Sequence, residues 1–126
     1  MKLSNLFLLN AIIATFYGLS LALAPGWLLS LYGLEGAPGE RYLAQLFGAA
    51  LLAFAVISWS FRSMPASDAR RAVVLAFFVG DVVGLIFGLL GQTADVLNSL
   101  GWVIVLLYLV LAAGFGYFYF VKPAAD

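Results

Sequence analysis

Only one acidic or basic side chain falls in the middle of the four long apolar stretches of this chain. It is an acid, Asp81, set among glycines at positions 80, 84 and 88. Bringing a carboxyl to the centre of a bilayer costs about 2.5–3.5 kcal/mol, while each Val, Leu, Ile or Phe returns about 0.3–0.6 kcal/mol. Thirteen such residues lie between positions 73 and 90. Together they return about 4–8 kcal/mol, so the helix still inserts. An acid kept at that expense marks a position with a task. The tasks open to it are to hold helices together by a hydrogen bond, to relay a proton or cation, or to meet a bound ligand or a partner's arginine. General acid–base catalysis needs a second titratable group at the same depth, and no acid, histidine or cation is placed there.

Several side chains could answer Asp81. No Lys or Arg lies at its level, so it is expected to be uncharged and to donate a hydrogen bond. Thr15 and Tyr17 on the first span and Tyr108 on the fourth fall at similar heights. Gly80, Gly84 and Gly88 recur every four residues and form a stripe that lets another helix approach closely. Ala44, Gly48 and Ala55 on the second span, with Ala49 and Ala53 on a neighbouring stripe, are the expected partner of that surface. Asn10, Ser20, Gln45, Ser58 and Ser60 are expected to make local or interhelical hydrogen bonds.

Composition sets the surroundings of these groups. Of 126 residues, 65% are hydrophobic and 10% charged, against about a quarter charged in soluble domains. The formal net charge is zero, so nothing in the sequence attracts nucleic acid. Cysteine and histidine are both absent. This removes disulfides, thiol redox chemistry and zinc sites of the usual kind, together with the commonest general base and haem ligand. No metal and no cofactor is expected, and the reading is non-enzymatic.

A bilayer core takes roughly 20 helical residues to cross. Four spans of that order are expected, at about residues 3–24, 41–61, 72–90 and 97–121, in one transmembrane domain covering residues 1–126. The fold class is all-α, a polytopic up-down-up-down bundle. The first span resembles a signal peptide in having Lys2 ahead of an apolar run that ends Ala22-Leu23-Ala24. Its length, and Pro25 after the candidate cleavage site, favour a retained helix. Trp27, Leu28, Leu31 and Tyr32 would form one strip on an interfacial segment at about residues 26–34. A faint echo links Phe16-Tyr17-Gly18-Leu19 to Ile86-Phe87-Gly88-Leu89, as two similar hairpins would.

With both termini cytoplasmic, Lys2, Arg62, Arg70, Arg71 and Lys122 lie inside and Arg41 alone outside, a positive-inside distribution. Arg62, Arg70 and Arg71 could also touch lipid headgroups or a partner's acidic surface. The alanine- and leucine-rich style suggests a bacterial inner membrane.

The run Arg41-Tyr42-Leu43-Ala44-Gln45-Leu46-Phe47-Gly48-Ala49-Ala50-Leu51-Leu52, preceded by Pro25 and Tyr32-Gly33, resembles small bacterial four-helix membrane proteins of uncharacterised function. Arg ahead of Phe-Gly-Ala is also loosely similar to the ergosterol-biosynthesis scaffold family, whose members gather membrane enzymes without catalysing a reaction. That resemblance implies an accessory or scaffold subunit of a larger membrane complex, with lipids and other membrane subunits or further copies of itself as partners. Length and span number are also similar to the small multidrug-resistance transporters. Those carry their essential acid in the first helix, whereas here it is Asp81 in the third. That likeness implies the alternative, a small oligomeric proton-coupled transporter of a lipophilic substrate.

Overall fold

The computed structural model describes residues 1–122, and among them the chain is helical without strands. Helix α1 covers Leu3–Leu23, a short α2 covers Pro25–Leu31, α3 covers Pro38–Phe61, α4 covers Asp68–Thr93 and α5 covers Gly101–Gly116. A π-helical turn, Tyr117–Val121, continues α5. Four of these helices are long and apolar enough to cross a membrane, α5 with its π turn counted as one.

The ends of the helices follow local chemistry. Pro25 and Pro38 open α2 and α3 at positions whose N–H would find no helical partner in any case. The Glu40 side chain accepts the Ala37 N–H at 3.2 Å, closing the first turn of α3. At α4 the Ser67 hydroxyl accepts the Arg70 N–H at 3.1 Å. This cap starts the helix at Asp68, four residues before the expected boundary. At its other end α4 runs on to Thr93, past the expected end at residue 90, and the last helix starts at Gly101 instead of residue 97.

The helices pair as two hairpins. Helix α1 packs closely on α3, and α4 on α5, while the two pairs approach each other mainly along α1 and α5. Small residues make the first pairing tight. Ala11, Ala14 and Gly18 of α1 and Ala44, Gly48, Ala55 and Ser58 of α3 are all buried. A Cβ built on Gly48 would lie 2.8 Å from the Gly18 carbonyl oxygen and 2.8 Å from the Ala22 nitrogen, so only glycine permits this backbone approach.

The expected match between this surface and the glycine stripe of α4 is therefore corrected. Ala44 and Gly48 are used up against α1. The α4 stripe turns to α5 instead, where a Cβ on Gly84 would run into the Tyr108 ring and one on Gly88 would meet Val105 at 3.5 Å. Gly80 has nothing within 4 Å and packs against no helix. The two glycines of the sequence echo, Gly18 and Gly88, each lie in the seam of their own hairpin, Gly18 against Leu52.

Two packed clusters close the ends. One joins Leu3, Leu6 and Phe7 of α1 to Val74 and Phe77 of α4, to Leu111 and Phe115 of α5, and to Phe118 in the π turn. The Phe7 ring centre lies 6.3 Å from that of Phe77 and 5.6 Å from that of Phe115, and Phe77 and Phe115 are 5.3 Å apart. The other cluster joins Leu21, Leu28, Tyr32 and Ala44, with Leu97 and Ile104 packed against it. The expected strip on α2 is divided: Leu28 and Tyr32 turn inward, while Trp27 and Leu31 face out.

Candidate functional site

Between the two clusters the hairpins stand apart and leave a cavity of about 390 Å³ lined by all four spans. Asn10, Ile13, Ala14 and Tyr17 of α1 and Ile104, Leu107, Tyr108 and Leu111 of α5 form its floor. None of these eight is exposed. Phe47, Leu51, Phe54 and Ile57 of α3 face Val73, Ala76, Phe77, Gly80 and Asp81 of α4 on the other side. Here Phe47, Phe54, Ala76 and Gly80 are exposed. The mouth therefore opens between α3 and α4, toward the surroundings of the bundle. Phe54 against Phe77, with ring centres 5.9 Å apart, bounds it at the end nearer the residue 62–67 loop.

Asp81 enters this space from the middle of α4. Its Oδ2 is buried and has no hydrogen-bond partner among the described residues. A buried polar atom left in this way costs about 1–3 kcal/mol, so the carboxyl is retained against its own folding cost. Gly80, the preceding residue, leaves the wall beside it unobstructed.

The expected companions of Asp81 separate. Tyr17 and Tyr108 line the same cavity, and the Tyr108 ring is fixed by its seat on Gly84. The Tyr17 hydroxyl is engaged elsewhere, 2.6 Å from the Tyr32 hydroxyl, with either able to donate. Burial, and then the contact with Tyr17, push the Tyr32 phenol above its usual range, so this link stays protonated. Thr15 is corrected out of the site: it is exposed, and its hydroxyl donates to the Ala11 carbonyl at 2.7 Å. A threonine in a long helix has that back-bond within reach whatever lies beyond it.

The basic cluster also divides. Arg70 is 3% exposed, too covered for the headgroup contact expected of it. Its Nε donates to the Phe61 carbonyl at 3.2 Å and a terminal nitrogen to the Arg62 carbonyl at 3.3 Å, satisfying the C-terminal end of α3. Arg62 lies over the Trp59 ring at 3.6 Å and Arg71 over Tyr119 at 4.3 Å. Arg71 is exposed and Arg62 partly so.

Two polar links join elements around the cavity, the first between residues expected to bond across helices and the second outside the sequence-based reading. Asn10 donates to Ser58 at 2.8 Å across the α1/α3 seam. At the opposite end Asn98 Nδ2 donates to the Leu31 carbonyl at 2.8 Å and the Asn98 N–H to the Tyr32 carbonyl at 3.0 Å, which ties the second hairpin to α2. Gln92 holds Asn98 from below, donating to its carbonyl at 2.9 Å. The Asn10/Ser58 pair carried a signal, two polar residues on facing apolar helices. Asn98 carried none, because its partners are 67 and 66 positions away in the chain.

The model of one family, described as a domain of unknown function (DUF8292), matches residues 1–120. The chain belongs to this family. The match takes in both hairpins and every wall of the cavity in the DUF8292 chain. No curated protein matches it, and no solved structure does. Groups of three or more His, Cys, Asp or Glu able to hold a metal are absent among the described residues.

Proposed function

We propose that this DUF8292 protein is a non-enzymatic integral membrane protein that holds one small lipophilic molecule between its two hairpins. The observation that carries the reading is the cavity of about 390 Å³, lined by all four spans and by Asp81, whose Oδ2 has no partner among the described residues. Its volume lies within the range of about 300–1,000 Å³ typical of small-molecule sites. Its mouth between α3 and α4 suits a ligand that arrives from the lipid phase.

The test is fluorine NMR on the protein in nanodiscs with para-fluorophenyl-butyl compounds as probes. A saturable resonance, distinct from the lipid-dissolved signal and lost in Gly80→Leu, is the expected result. Gly80 lines the cavity and a Cβ there meets nothing within 4 Å, so a leucine should narrow the space with no clash at its first atom. A resonance unchanged in that variant, or none in the wild type, overturns the reading.

Proton-coupled transport by an oligomer is the elaborated form of this function and draws on the same Asp81. An accessory or scaffold role in a larger complex draws on the apolar outer faces of the bundle, such as Val79, Val83, Ile86 and Phe87 of α4, all exposed. Native electrophoresis after mild extraction separates that role from the first by identifying co-migrating subunits.

The site of action under this proposal is a bacterial inner membrane with both termini cytoplasmic, supported by the distribution of cations. The sequence has no cysteine, so single cysteines report cleanly. A membrane-impermeant maleimide applied to intact cells should label Glu35→Cys and spare Ser63→Cys. The opposite pattern reverses the topology.

A further inference from the structure

The lining of the cavity is unusually specific about charge. One carboxyl, Asp81, projects into it, and the lining contains no Lys or Arg. Its Oδ2 is buried with no partner among the described residues. Around that acid stand five aromatic rings: Tyr17, Phe47, Phe54, Phe77 and Tyr108. Aromatic faces attract cations through their quadrupoles, most strongly where water is excluded. The carboxyl, expected to hold its proton while no cation is near, is favoured as an acceptor-only carboxylate once a cation lies against it, and neither feature favours an anion.

A neutral alcohol could give Asp81 one hydrogen bond and pack its body on the same walls, but it brings no charge for the rings to attract. A ligand with a protonated amine at one end and an apolar body satisfies both. It meets Asp81 with N–H donors and a positive charge, and its body fills the Leu, Ile and Phe walls. Two polar groups in the lining are already committed, Tyr17 to Tyr32 and Asn10 to Ser58. Asp81 is the acid of the lining, and its Oδ2 has no partner among the described residues.

We infer that the cavity between the hairpins is a site for lipophilic amines in their cationic form, with Asp81 as counter-ion and the aromatic rings as a cation-binding wall. The inference rests on the proposed role as a binder of lipophilic molecules and adds the charge of the ligand to it.

The test compares para-fluorophenyl-butylamine with the corresponding alcohol, both by fluorine NMR in nanodiscs at a pH where the amine is protonated. The amine should bind wild type about tenfold or more tightly than the alcohol. Asp81→Asn should remove that preference while leaving the thermal midpoint and circular dichroism of the helices in place. Phe47→Leu provides a second variant that leaves Asp81 intact. Phe47 is 46% exposed at the mouth, and its loss should weaken the amine several-fold more than it weakens the alcohol.

Equal binding of amine and alcohol, or a preference that survives both substitutions, overturns the charge assignment and leaves the cavity reading standing. Absence of binding by either probe overturns the cavity reading and the charge assignment with it.

Discussion

The same helices pack in opposite ways at two levels of the bundle. At one level Phe7, Phe77 and Phe115 meet ring to ring with centres 5.3–6.3 Å apart, and Phe7 and Phe115 are fully buried. Seven residues further along α1, about 10 Å at the helical rise, Ala14 faces a cavity that also contains Asp81, Gly80 and Tyr108. Side-chain size changes between the two levels, from three phenylalanines to an alanine and a glycine. A hollow in the middle of a bundle closed by packed clusters at both ends reads as a built chamber, since each end is fixed independently of what the middle contains.

Three changes and one control substitution probe that contrast, the three in order of expected effect. Phe115→Ala removes the ring at the centre of the packed level and should cost about 3–5 kcal/mol of stability, measured by reversible unfolding in mixed detergent micelles. A loss below about 1 kcal/mol would mean that the aromatic cluster does not hold the two hairpins together.

Next come paired alanine substitutions on the α4 stripe. Gly84→Ala forces a methyl into the Tyr108 ring and should cost about 1–3 kcal/mol. Gly80→Ala adds the same methyl to open space and should stay within about 0.5 kcal/mol of wild type. Equal effects at the two positions would remove the distinction between packed and hollow levels along α4.

Of the three losses the smallest is expected from Asn10→Ala, which breaks a single interhelical hydrogen bond at the edge of the chamber and leaves Ser58 without that partner. Such bonds inside membrane proteins contribute about 0.6 kcal/mol on average and up to about 1.7. An unchanged unfolding midpoint would show that the small-residue seam of α1 and α3 holds without it.

Most of the fold was legible because insertion depends on local composition. A run of about twenty apolar residues satisfies its own backbone as a helix wherever it stands, and the four spans were found within a few residues of their observed ends. Boundaries slipped where a cap extended a helix into polar sequence, as Ser67 does for α4. Pairing was harder. Both α3 and α4 carry small-residue stripes, and spacing alone matches either to any helix. Only the assembled backbone puts Gly48 on Gly18 and Gly84 on Tyr108.

The candidate site divides in the same way. Asp81 stood out because an acid in an apolar run is costly whatever surrounds it, and Tyr17 and Tyr108 were reachable by counting depth. Depth, however, does not determine rotation about the helix axis. Thr15 lies two residues from Tyr17 and faces outward, bonded to its own helix. Arg70 and Arg71 are adjacent and read alike, yet Arg70 is buried against the end of α3 while Arg71 is exposed over Tyr119.

By itself, the sequence determined the number of spans, their order and the presence of one buried acid, because transfer of side chains into hydrocarbon is nearly additive along a helix. The tertiary structure decided that the spans pair as two hairpins and that Asp81 faces a shared chamber. Those outcomes depend on which backbones can approach, and that is set by the shape of both surfaces at once.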